Sequence, residues 1–260
     1  MNYHNKARTV KMKWDSGLYD QQHSFVAEYG QDLLEFVPDD RAQKILDLGC
    51  GTGALTTQLA KQCAVVLGVD ASPEMITKAR ETYPNLDFKV MDALALPFEH
   101  EWDVVFSNAV FHWISDHDRL LQRIQRALKP GGKLVCEFGA HANIATIEGA
   151  FNDALQEFDR TYRSKFNFPT VAAFSGLLRK NGFSIDNIYD FDRPTLLKGA
   201  EQGLKHWARQ FFAAELEVFT KEEQDKILNK MQLNVKDKLW NGQEWVADYR
   251  RLRVIAHIDD

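Results

Sequence analysis

The sequence predicts an α/β fold in which helices cover both faces of a mostly parallel sheet, that is, a doubly wound sheet. Two observations predict it. Short apolar runs alternate with helical stretches of about ten residues along the first half of the chain, which is the pattern of parallel βαβ units. A glycine-rich turn follows the first apolar run directly, as it does where a strand of such a sheet leads into a helix.

The alternation begins with a helix and two strands. Apolar side chains recur at spacings of three and four from Phe25 to Val37, which predicts a helix that ends before Pro38. The apolar runs 44–48 and 65–69 predict two buried strands, and residues 54–61 between them predict a helix.

Elements of similar length follow. Ser72 caps a helix that has Pro73 at its first position and runs to about Thr82. The remaining elements of this part are strands over 87–91, 102–107 and 133–138 and a helix over 118–128.

The pattern changes after Gly139, where longer helices dominate. The predicted elements are helices over 144–162 and 170–180, a strand over 183–189, a helical block over about 200–239 and a strand over 249–258. No internal repeat, low-complexity tract or Pro/Gly linker interrupts the chain. We therefore expect one domain over residues 1–260, with a helical insertion at 200–240 between its last two strands.

Composition excludes several classes of protein. Hydrophobic residues make up 45% and charged residues 27% of the 260 residues, which is typical of a globular protein and not of a disordered chain or a disulfide scaffold. No apolar run approaches about 18 residues, and the polar, basic N-terminus has no apolar segment behind its charges. We expect neither a membrane span nor a secretory signal.

The spacing of the cysteines and histidines and the net charge exclude further classes of protein. The three cysteines have no C-x-x-C spacing and the eight histidines no H-x-x-x-H pair, so we expect no structural metal and a reduced, cytoplasmic setting. The net charge is −5, and the excess acid lies between residues 31 and 110. A nucleic-acid-binding protein usually presents a basic face, so we expect no nucleic-acid partner.

The strongest local motif is ILDLGCGTG, residues 45–53, where a strand leads directly into a helix. Glycines tolerate positive φ and let a ligand approach the backbone N–H groups at the helix start. Two ligand classes remain open, because Gly49, Gly51 and Ala54 also match the G-x-G-x-x-[GA] motif of dinucleotide-binding proteins. Asp47 favours a cationic ligand, since its carboxylate would repel a pyrophosphate and attract an ammonium or sulfonium group.

Two more acidic residues end the next strands. Asp70 lies 21 residues after Gly49, where its carboxylate can accept both hydroxyl hydrogens of an adenosine ribose, unless it serves as a helix cap. Asp92 can accept the exocyclic amine of adenine, and the small Ala93 after it leaves room for the ring. Because carboxyl ends of parallel strands meet at one edge of a sheet, we expect Asp47, Asp70 and Asp92 to gather there.

Five segments resemble the class I S-adenosylmethionine-dependent methyltransferases. They are ILDLGCGTG, GVDASPEMI, MDALALPF, FSNAVFHWI and LKPGGKLV, and they span about residues 44–138. Within that superfamily the chain is similar to small-molecule enzymes of the trans-aconitate methyltransferase type. That similarity rests on short runs within residues 14–30, 108–113 and 245–253.

The resemblance implies S-adenosylmethionine as the cofactor and a seven-stranded sheet of order 3-2-1-4-5-7-6 whose last strand is antiparallel. It also implies a set of cofactor-binding residues: Asp47, Gly49, Cys50, Gly51, Asp70, Ala71, Met75, Asp92, Ala93 and Asn108.

The implied roles divide these residues among the parts of the cofactor. The turn 49–51 would lie against it, and Asp47 would serve its amino group directly or through water. Asp70 would hold the ribose, and Asn108 would offer its carbonyl oxygen to the methionyl ammonium. The adenine would lie between Ala71 and Met75, with its polar edge at Asp92 and Ala93.

Two aromatic residues could form an N-terminal lid within residues 1–30. An aromatic ring beside a sulfonium gains cation–π attraction and excludes water. On this basis Trp14 joins the cofactor-binding set and Tyr19 the candidates for the acceptor pocket. Core packing is the alternative for both.

Methyl transfer requires alignment of donor and acceptor in a dry site more than it requires a base. A carboxylate acceptor arrives ionised, so arginines are candidates to bind it: Arg193, and Arg250, Arg251 and Arg253 on the last strand. His112 is a further acceptor-pocket candidate, as a base for a hydroxyl or amine or as a packed side chain.

We therefore predict methyl transfer from S-adenosylmethionine to a small-molecule acceptor, by O-methylation of a carboxylic acid, in a monomer or homodimer. The insertion at 200–240 would cap the acceptor site, although it could equally be core or a dimer surface. Two other functions remain open: a nicotinamide-dependent oxidoreductase, favoured by the G-x-G-x-x-A overlap, and a catalytically idle cofactor-binding module.

Overall fold

The computed structural model describes residues 30–260, which form two compact units. The first contains residues 30–140, together with residues 166–190 and 252–260. The second contains residues 141–165 and 191–251. The N-terminal lid predicted within residues 1–30 lies outside the described residues, apart from Gly30.

Nine strands are present within residues 30–260. They are β1 (Lys44–Leu48), β2 (Val65–Asp70), β3 (Asp87–Val90), β4 (Trp102–Asn108), β5 (Leu128–Gly139), β6 (Phe183–Asp192), β7 (Thr195–Leu197), β8 (Trp245–Ala247) and β9 (Arg250–Ile258). Seven of them form one sheet of order β3-β2-β1-β4-β5-β9-β6, mostly parallel with one antiparallel strand. Since β9 is the seventh strand of this sheet along the chain, the order 3-2-1-4-5-7-6 is confirmed.

The helices match the predicted alternation. A helix over residues 30–34 precedes β1, and its predicted beginning at Phe25 lies outside the described residues. The others are α1 (Thr56–Leu59), α2 (Pro73–Thr82), α3 (His117–Ala127), α4 (Ala145–Gln156), α5 (Val171–Lys180), α6 (Gly203–Phe211), α7 (Ala213–Leu216) and α8 (Lys221–Leu239).

Strand β1 lies at the centre of the first unit, paired in parallel with β2 and with β4. Alternate residues of β1 enter different cores: Leu46 and Leu48 pack in one cluster, and Ile45 packs in another with Leu33. This two-sided burial explains why β1 is a nearly continuous apolar run. The carboxyl group of Asp47, which is buried on the same strand, is an exception to this apolar pattern.

Several elements differ from the prediction, among them β5, which begins at Leu128 instead of residue 133, and α1, which is shorter than the predicted helix over 54–61. Helix α4 ends at Gln156 instead of about Tyr162, because the chain after it folds back and Tyr162 packs its ring 5.4 Å from that of Phe151. The two-stranded sheet of β7 and β8 was not predicted, since each strand has only three residues and their pairing joins segments about fifty positions apart.

The second unit is built on helices α4, α6 and α8. The rings of Phe151 and Phe212 stack at 4.2 Å, and the indole N–H of Trp207 donates to the hydroxyl of Tyr249 at 2.7 Å. This unit therefore contains the helical block predicted between residues 200 and 240, and extends beyond it on both sides. No helix within residues 30–260 is long and apolar enough to cross a membrane.

Candidate active site

The glycine-rich turn after β1 is held by the end of β2. The backbone N–H groups of Gly49 and Cys50 both donate to the carbonyl oxygen of Val69, at 2.7 and 3.0 Å. Gly49 and Gly51 have φ values of +77° and +55°, in the left-handed region that favours glycine. The sequence-predicted turn is therefore present, and the neighbouring strand fixes its shape.

The glycines of the turn differ in what surrounds them. A Cβ atom on Gly49 would lie 2.2 Å from Val110, and one on Gly53 would lie 2.7 Å from Phe88. A Cβ atom on Gly51 would have no described atom within 4 Å. Gly49 and Gly53 are thus required by internal packing, whereas Gly51 leaves an open approach to the backbone.

Asp70, at the end of β2, joins the turn to the next helix. Its Oδ2 accepts a hydrogen bond from the backbone N–H of Gly51 at 3.0 Å, and its Oδ1 accepts one from that of Ser72 at 2.8 Å. Each oxygen retains a further lone pair that can accept a hydroxyl hydrogen. Burial raises the pKa of the Asp70 carboxyl group, against the lowering effect of these hydrogen bonds.

Asp47 is more deeply buried, with 2% of its surface exposed. Its Oδ2 accepts a hydrogen bond from the Thr56 hydroxyl at 2.6 Å. The pKa of Asp47 is raised to about 7, chiefly by burial; the hydrogen bond from Thr56 opposes the shift and the charge of Asp70 contributes to it. The turn therefore lies between two carboxyl groups whose ionised forms the fold disfavours.

The other predicted cofactor-binding residues lie near the turn or along the same strand ends. The N–H of Met91 donates to the carbonyl oxygen of Asp70 at 2.9 Å, which places the end of β3 beside that of β2. Asp92 is exposed, and its Oδ1 accepts a hydrogen bond from the N–H of Leu94 at 2.9 Å. Cys50 and Ala93 are half-buried, Ala71 is exposed and Met75 is buried.

The end of β4 carries Asn108, which is half-buried. A Cβ atom on Gly30 would lie 2.9 Å from Asn108 Nδ2, so this side chain lies against the helix over residues 30–34. Ala109 follows with a φ of +62°, and its N–H donates to the carbonyl oxygen of Glu137 at 2.7 Å. The ends of β4 and β5 are thus joined directly beside Asn108.

His112 lies in a short 3₁₀ helix, Phe111–Trp113, after β4 and is 7% exposed. Its Nδ1 atom accepts a hydrogen bond from the backbone N–H of Gly139, the last residue of β5, at 3.2 Å. Three aromatic rings surround the imidazole: those of Trp113, Phe166 and Phe168, with centroids 5.5, 6.1 and 5.8 Å away.

No described contact links the remaining acceptor-pocket candidates to His112 or to the glycine turn. Arg193 belongs to the second unit, where its guanidinium lies over the ring of Phe191 at 5.0 Å and its N–H donates to the carbonyl oxygen of Tyr249 at 2.7 Å. Trp14 and Tyr19 lie outside the described residues.

A buried ion pair beside the strand ends was not predicted. Arg253 on β9 donates from Nε to Oε2 of Glu137 at 2.8 Å, and its Nη1 donates to the Tyr189 hydroxyl at 3.4 Å. Glu137 is 1% exposed and stands opposite Asn108 in the register of β5 and β4. The sequence predicted the strand over 249–258, but no sequence pattern links Arg253 to an acid 116 positions away.

The other two arginines of β9 belong to the second unit, and each has a partner within that unit. Arg250 forms an ion pair with Asp192. Arg251 is buried, and its guanidinium lies 4.7 Å from the centroid of the Tyr249 ring.

Comparison with known proteins identifies the family. A methyltransferase domain model matches residues 46–136. The chain is 32% identical over 258 residues to an uncharacterized methyltransferase of Schizosaccharomyces pombe, covering 94% of this chain and 97% of that protein. It is also 33% identical over 213 residues to a trans-aconitate 2-methyltransferase of Deinococcus radiodurans, covering 76% of this chain and 80% of that protein.

Solved structures share the fold. The YcgJ protein from Bacillus subtilis superposes with a TM-score of 0.65 at 15% identity, covering 92% of this chain and all of that one. The phosphoethanolamine N-methyltransferase 2 of Haemonchus contortus, in complex with S-adenosyl-L-methionine, superposes with a TM-score of 0.57 at 21% identity, covering 96% of this chain and 61% of that one.

The chain therefore belongs to the class I S-adenosylmethionine-dependent methyltransferases, and its activity is methyl transfer from that cofactor. The cofactor carries an ammonium and a sulfonium group as well as a ribose with two hydroxyls. The described residues suit such a group, because Gly51 leaves the backbone open and the nearby carboxyl groups of Asp47 and Asp70 would be stabilised as anions by a cation.

Alanine substitutions at Gly49 and Gly51 separate folding from ligand binding. Gly51→Ala places a Cβ atom in open space, so we expect only the backbone cost of a left-handed alanine, about 1–2 kcal/mol of unfolding free energy. Gly49→Ala forces a clash with Val110 and is expected to destabilise the protein more. Urea denaturation measures both effects.

The ligand-binding half of this comparison uses calorimetry with S-adenosylhomocysteine. We expect Gly51→Ala to weaken binding at least about tenfold, because its methyl group occupies the approach to the turn. A folded Gly51→Ala variant with wild-type affinity would show that the ligand does not contact this glycine.

Because of Asp47, the free energy of unfolding of the unliganded protein depends on pH. Between pH 3.8, the ordinary pKa of an aspartate side chain, and the folded pKa of about 7, the folded state keeps a proton that the unfolded state has released. The free energy of unfolding therefore falls as the pH rises through this window, by up to about 1.4 kcal/mol per pH unit. Asp70, whose pKa is also raised, contributes in the same direction.

We expect Asp47→Asn to reduce this loss, because asparagine keeps an acceptor for Thr56 and cannot ionise. Urea denaturation at pH 5 and pH 8, without cofactor, measures the slope. Asp116→Asn is the matched control, since Asp116 caps helix α3 and asparagine caps equally well. Equal slopes in wild type and Asp47→Asn would contradict the assignment.

Proposed function

We propose that this chain catalyses the S-adenosylmethionine-dependent O-methylation of a small carboxylic acid. The observation that carries the proposal is the similarity to a protein named trans-aconitate 2-methyltransferase, whose length the chain covers to 80% at 33% identity. Several further relatives carry the same name, at 36–37% identity over about half of this chain.

The glycine turn and the strand-end acids would hold the cofactor. Asp70 would bind the ribose hydroxyls, because both its oxygens have lone pairs left after their bonds to backbone N–H groups. Asp47 would serve the ammonium group, directly or through water, and its carboxyl group would ionise beside that charge. The half-buried Asn108 would offer its carbonyl oxygen to the same ammonium.

The remaining cofactor-binding residues would form the adenine end. Ala71 and Met75 would flank the ring, and Asp92 with Ala93 would meet its polar edge. Gly49, Cys50 and Gly51 would lie along the ligand, and Trp14 would cover it as part of a lid within residues 1–30. Of these contacts, the one through Gly51 has the clearest support, because no atom of the described residues lies within 4 Å of a Cβ atom built on it.

When bound, the cofactor would supply a methyl group that its sulfonium activates for transfer to an acceptor oxygen, with S-adenosylhomocysteine as the second product. The chain's own residues then have to bind the acceptor and exclude water. The candidates for this work are Tyr19, His112 and Arg193, together with the helical block at 200–240 as a cap. A carboxylate acceptor is already ionised, so none of these side chains has to act as a general base.

We further propose a cytoplasmic enzyme, monomeric or homodimeric, that acts without nucleic acid. The net charge of −5 supports the last point, because nucleic-acid binding requires a basic face.

Asp70→Ala tests the cofactor site. We expect at least about tenfold weaker binding of S-adenosylhomocysteine, measured by calorimetric titration, because the ribose loses its acceptor. Asp118→Ala is the control, since that carboxylate pairs with Lys180 and Asn181 in contacts separate from the turn. Unchanged affinity in a folded Asp70→Ala variant would contradict the role of Asp70.

Wild-type enzyme assayed with a panel of small acids, phenols and amines tests the reaction. We expect methyl esters from di- or tricarboxylic acids and no product from amines, with product identified by mass spectrometry. Methylation of phenols or amines alone would overturn the proposed acceptor class. Binding of S-adenosylhomocysteine without any turnover across the panel would favour an idle module.

A further inference from the structure

The second unit contains a cleft of about 400 Å³, which is within the size range of small-molecule binding sites. Its lining comes from the 3₁₀ helix Ala200–Gln202, helices α6 and α8, the residue after α8 and the first residue of β8. None of the lining residues is among the cofactor-binding residues. We propose that this cleft binds a small aromatic monocarboxylate.

The cleft is formed without a ligand, because one carbonyl group ties three of its walls together. The backbone oxygen of Glu201 accepts a hydrogen bond from Nε2 of Gln232 at 2.7 Å and another from the indole N–H of Trp245 at 3.0 Å. These bonds join the 3₁₀ helix to α8 and to β8. A ligand that binds a preformed site does not incur the entropy cost of ordering its walls.

Two indole rings give the cleft an aromatic wall. The ring centroids of Trp240 and Trp245 lie 5.2 Å apart, and a backbone bridge pairs the two residues. Trp245 is buried, whereas Trp240 is half-buried and Leu233, which also lines the cleft, is 69% exposed. Apolar surface of Trp240 and Leu233 therefore remains in contact with water, and a flat aromatic ligand would cover it.

Two lysines give the cleft a positive charge. Lys205 on α6 donates to Oδ1 of Asn229 at 2.6 Å, and this neutral partner leaves the ammonium charge uncompensated. Lys236 on α8 has no ion-pair partner within residues 30–260. Glu201 is the one acidic residue that the structure places in the lining. Two ammonium groups and one carboxylate leave the cleft with a net charge of +1.

Charge and hydrogen bonding select the ligand class. A net charge of +1 matches one carboxylate, whereas a second carboxylate would be repelled by Glu201. A carboxylate accepts strong, charge-assisted hydrogen bonds from lysine. The indole N–H of Trp240, which has no partner in the described part of the chain, is a further donor. The di- and tricarboxylic acids of the proposed function do not match this cleft, so its ligand is a different molecule.

Nitrogen-15 NMR of the indole N–H groups locates the ligand. The chain has six tryptophans, and the spectrum of Trp240→Phe assigns the signal of Trp240. The probe is 2-naphthoate, added to protein saturated with S-adenosylhomocysteine. We expect the Trp240 signal to shift, with half-saturation below about 1 mM. An unchanged Trp240 signal at about five times that concentration would overturn the inference.

Two related probes test the ligand class. The neutral 2-naphthamide keeps the rings and lacks the charge, whereas cyclohexanecarboxylate keeps the charge and lacks an aromatic face. We expect each to bind at least about tenfold more weakly than 2-naphthoate. Equally tight binding of the amide would exclude recognition of a carboxylate, and equally tight binding of cyclohexanecarboxylate would exclude an aromatic site.

Substitutions in the cleft test the residues. Lys205→Gln and Lys236→Gln each remove one positive charge, and Trp240→Leu removes the ring. We expect each to weaken 2-naphthoate binding at least about tenfold, measured by calorimetry. Lys238→Gln is the matched control, since Lys238 is exposed in the same last turn of α8 as Lys236 and does not line the cleft. The affinity for S-adenosylhomocysteine should be unchanged in all four variants.

These measurements need no turnover, so this inference and the proposed function can fail separately. The absence of methyl ester products would contradict the proposed function and leave the cleft intact. Wild-type affinity for 2-naphthoate in both Lys205→Gln and Lys236→Gln would place the ligand elsewhere and overturn the inference. Circular dichroism shows whether each variant is folded. If Trp240→Leu does not fold, the two lysine variants decide, because their side chains reach the surface.

Discussion

The hydrogen bonds that join the end of β2 to the turn after β1 set the geometry of the site. The carbonyl oxygen of Val69 accepts two N–H groups of the turn, and the carboxylate of Asp70 accepts a third from Gly51. Because β1 is paired in parallel with both β2 and β4, this junction transmits the register of the central sheet to the turn. The open face at Gly51 is a consequence of that arrangement.

The site places two carboxyl groups where the fold disfavours their charge. Burial raises the pKa of Asp47 and of Asp70, and the charge of Asp70 adds to the shift at Asp47. A cation bound beside them would favour the ionised forms, so the unfavourable electrostatics of the free protein become part of the affinity for a positively charged ligand.

At the carboxyl end of β5, polar side chains form internal bonds that fix the orientation of the groups around them. Arg253 is paired with Glu137, and Nδ1 of His112 accepts the N–H of Gly139, so β5 contributes both a buried acid and a backbone donor to this region. A buried group with an internal partner has one orientation, which gives precision to whatever binds there. The bond to His112 is the clearest case, because both of its residues are buried.

The sequence by itself determined the sheet and the turn. Alternating apolar runs and helices, the glycines at 49, 51 and 53, and the acids at or near the ends of β1, β2 and β3 are local patterns with a period or a fixed spacing. They predicted the limits of β1 to β4 to within one residue. Only the tertiary structure decided what depends on distant contacts. The fold-back of Tyr162, the pairing of β7 with β8, the partner of Arg253 and the hydrogen bond of His112 all join residues at least ten positions apart, for which a single sequence carries no periodic signal.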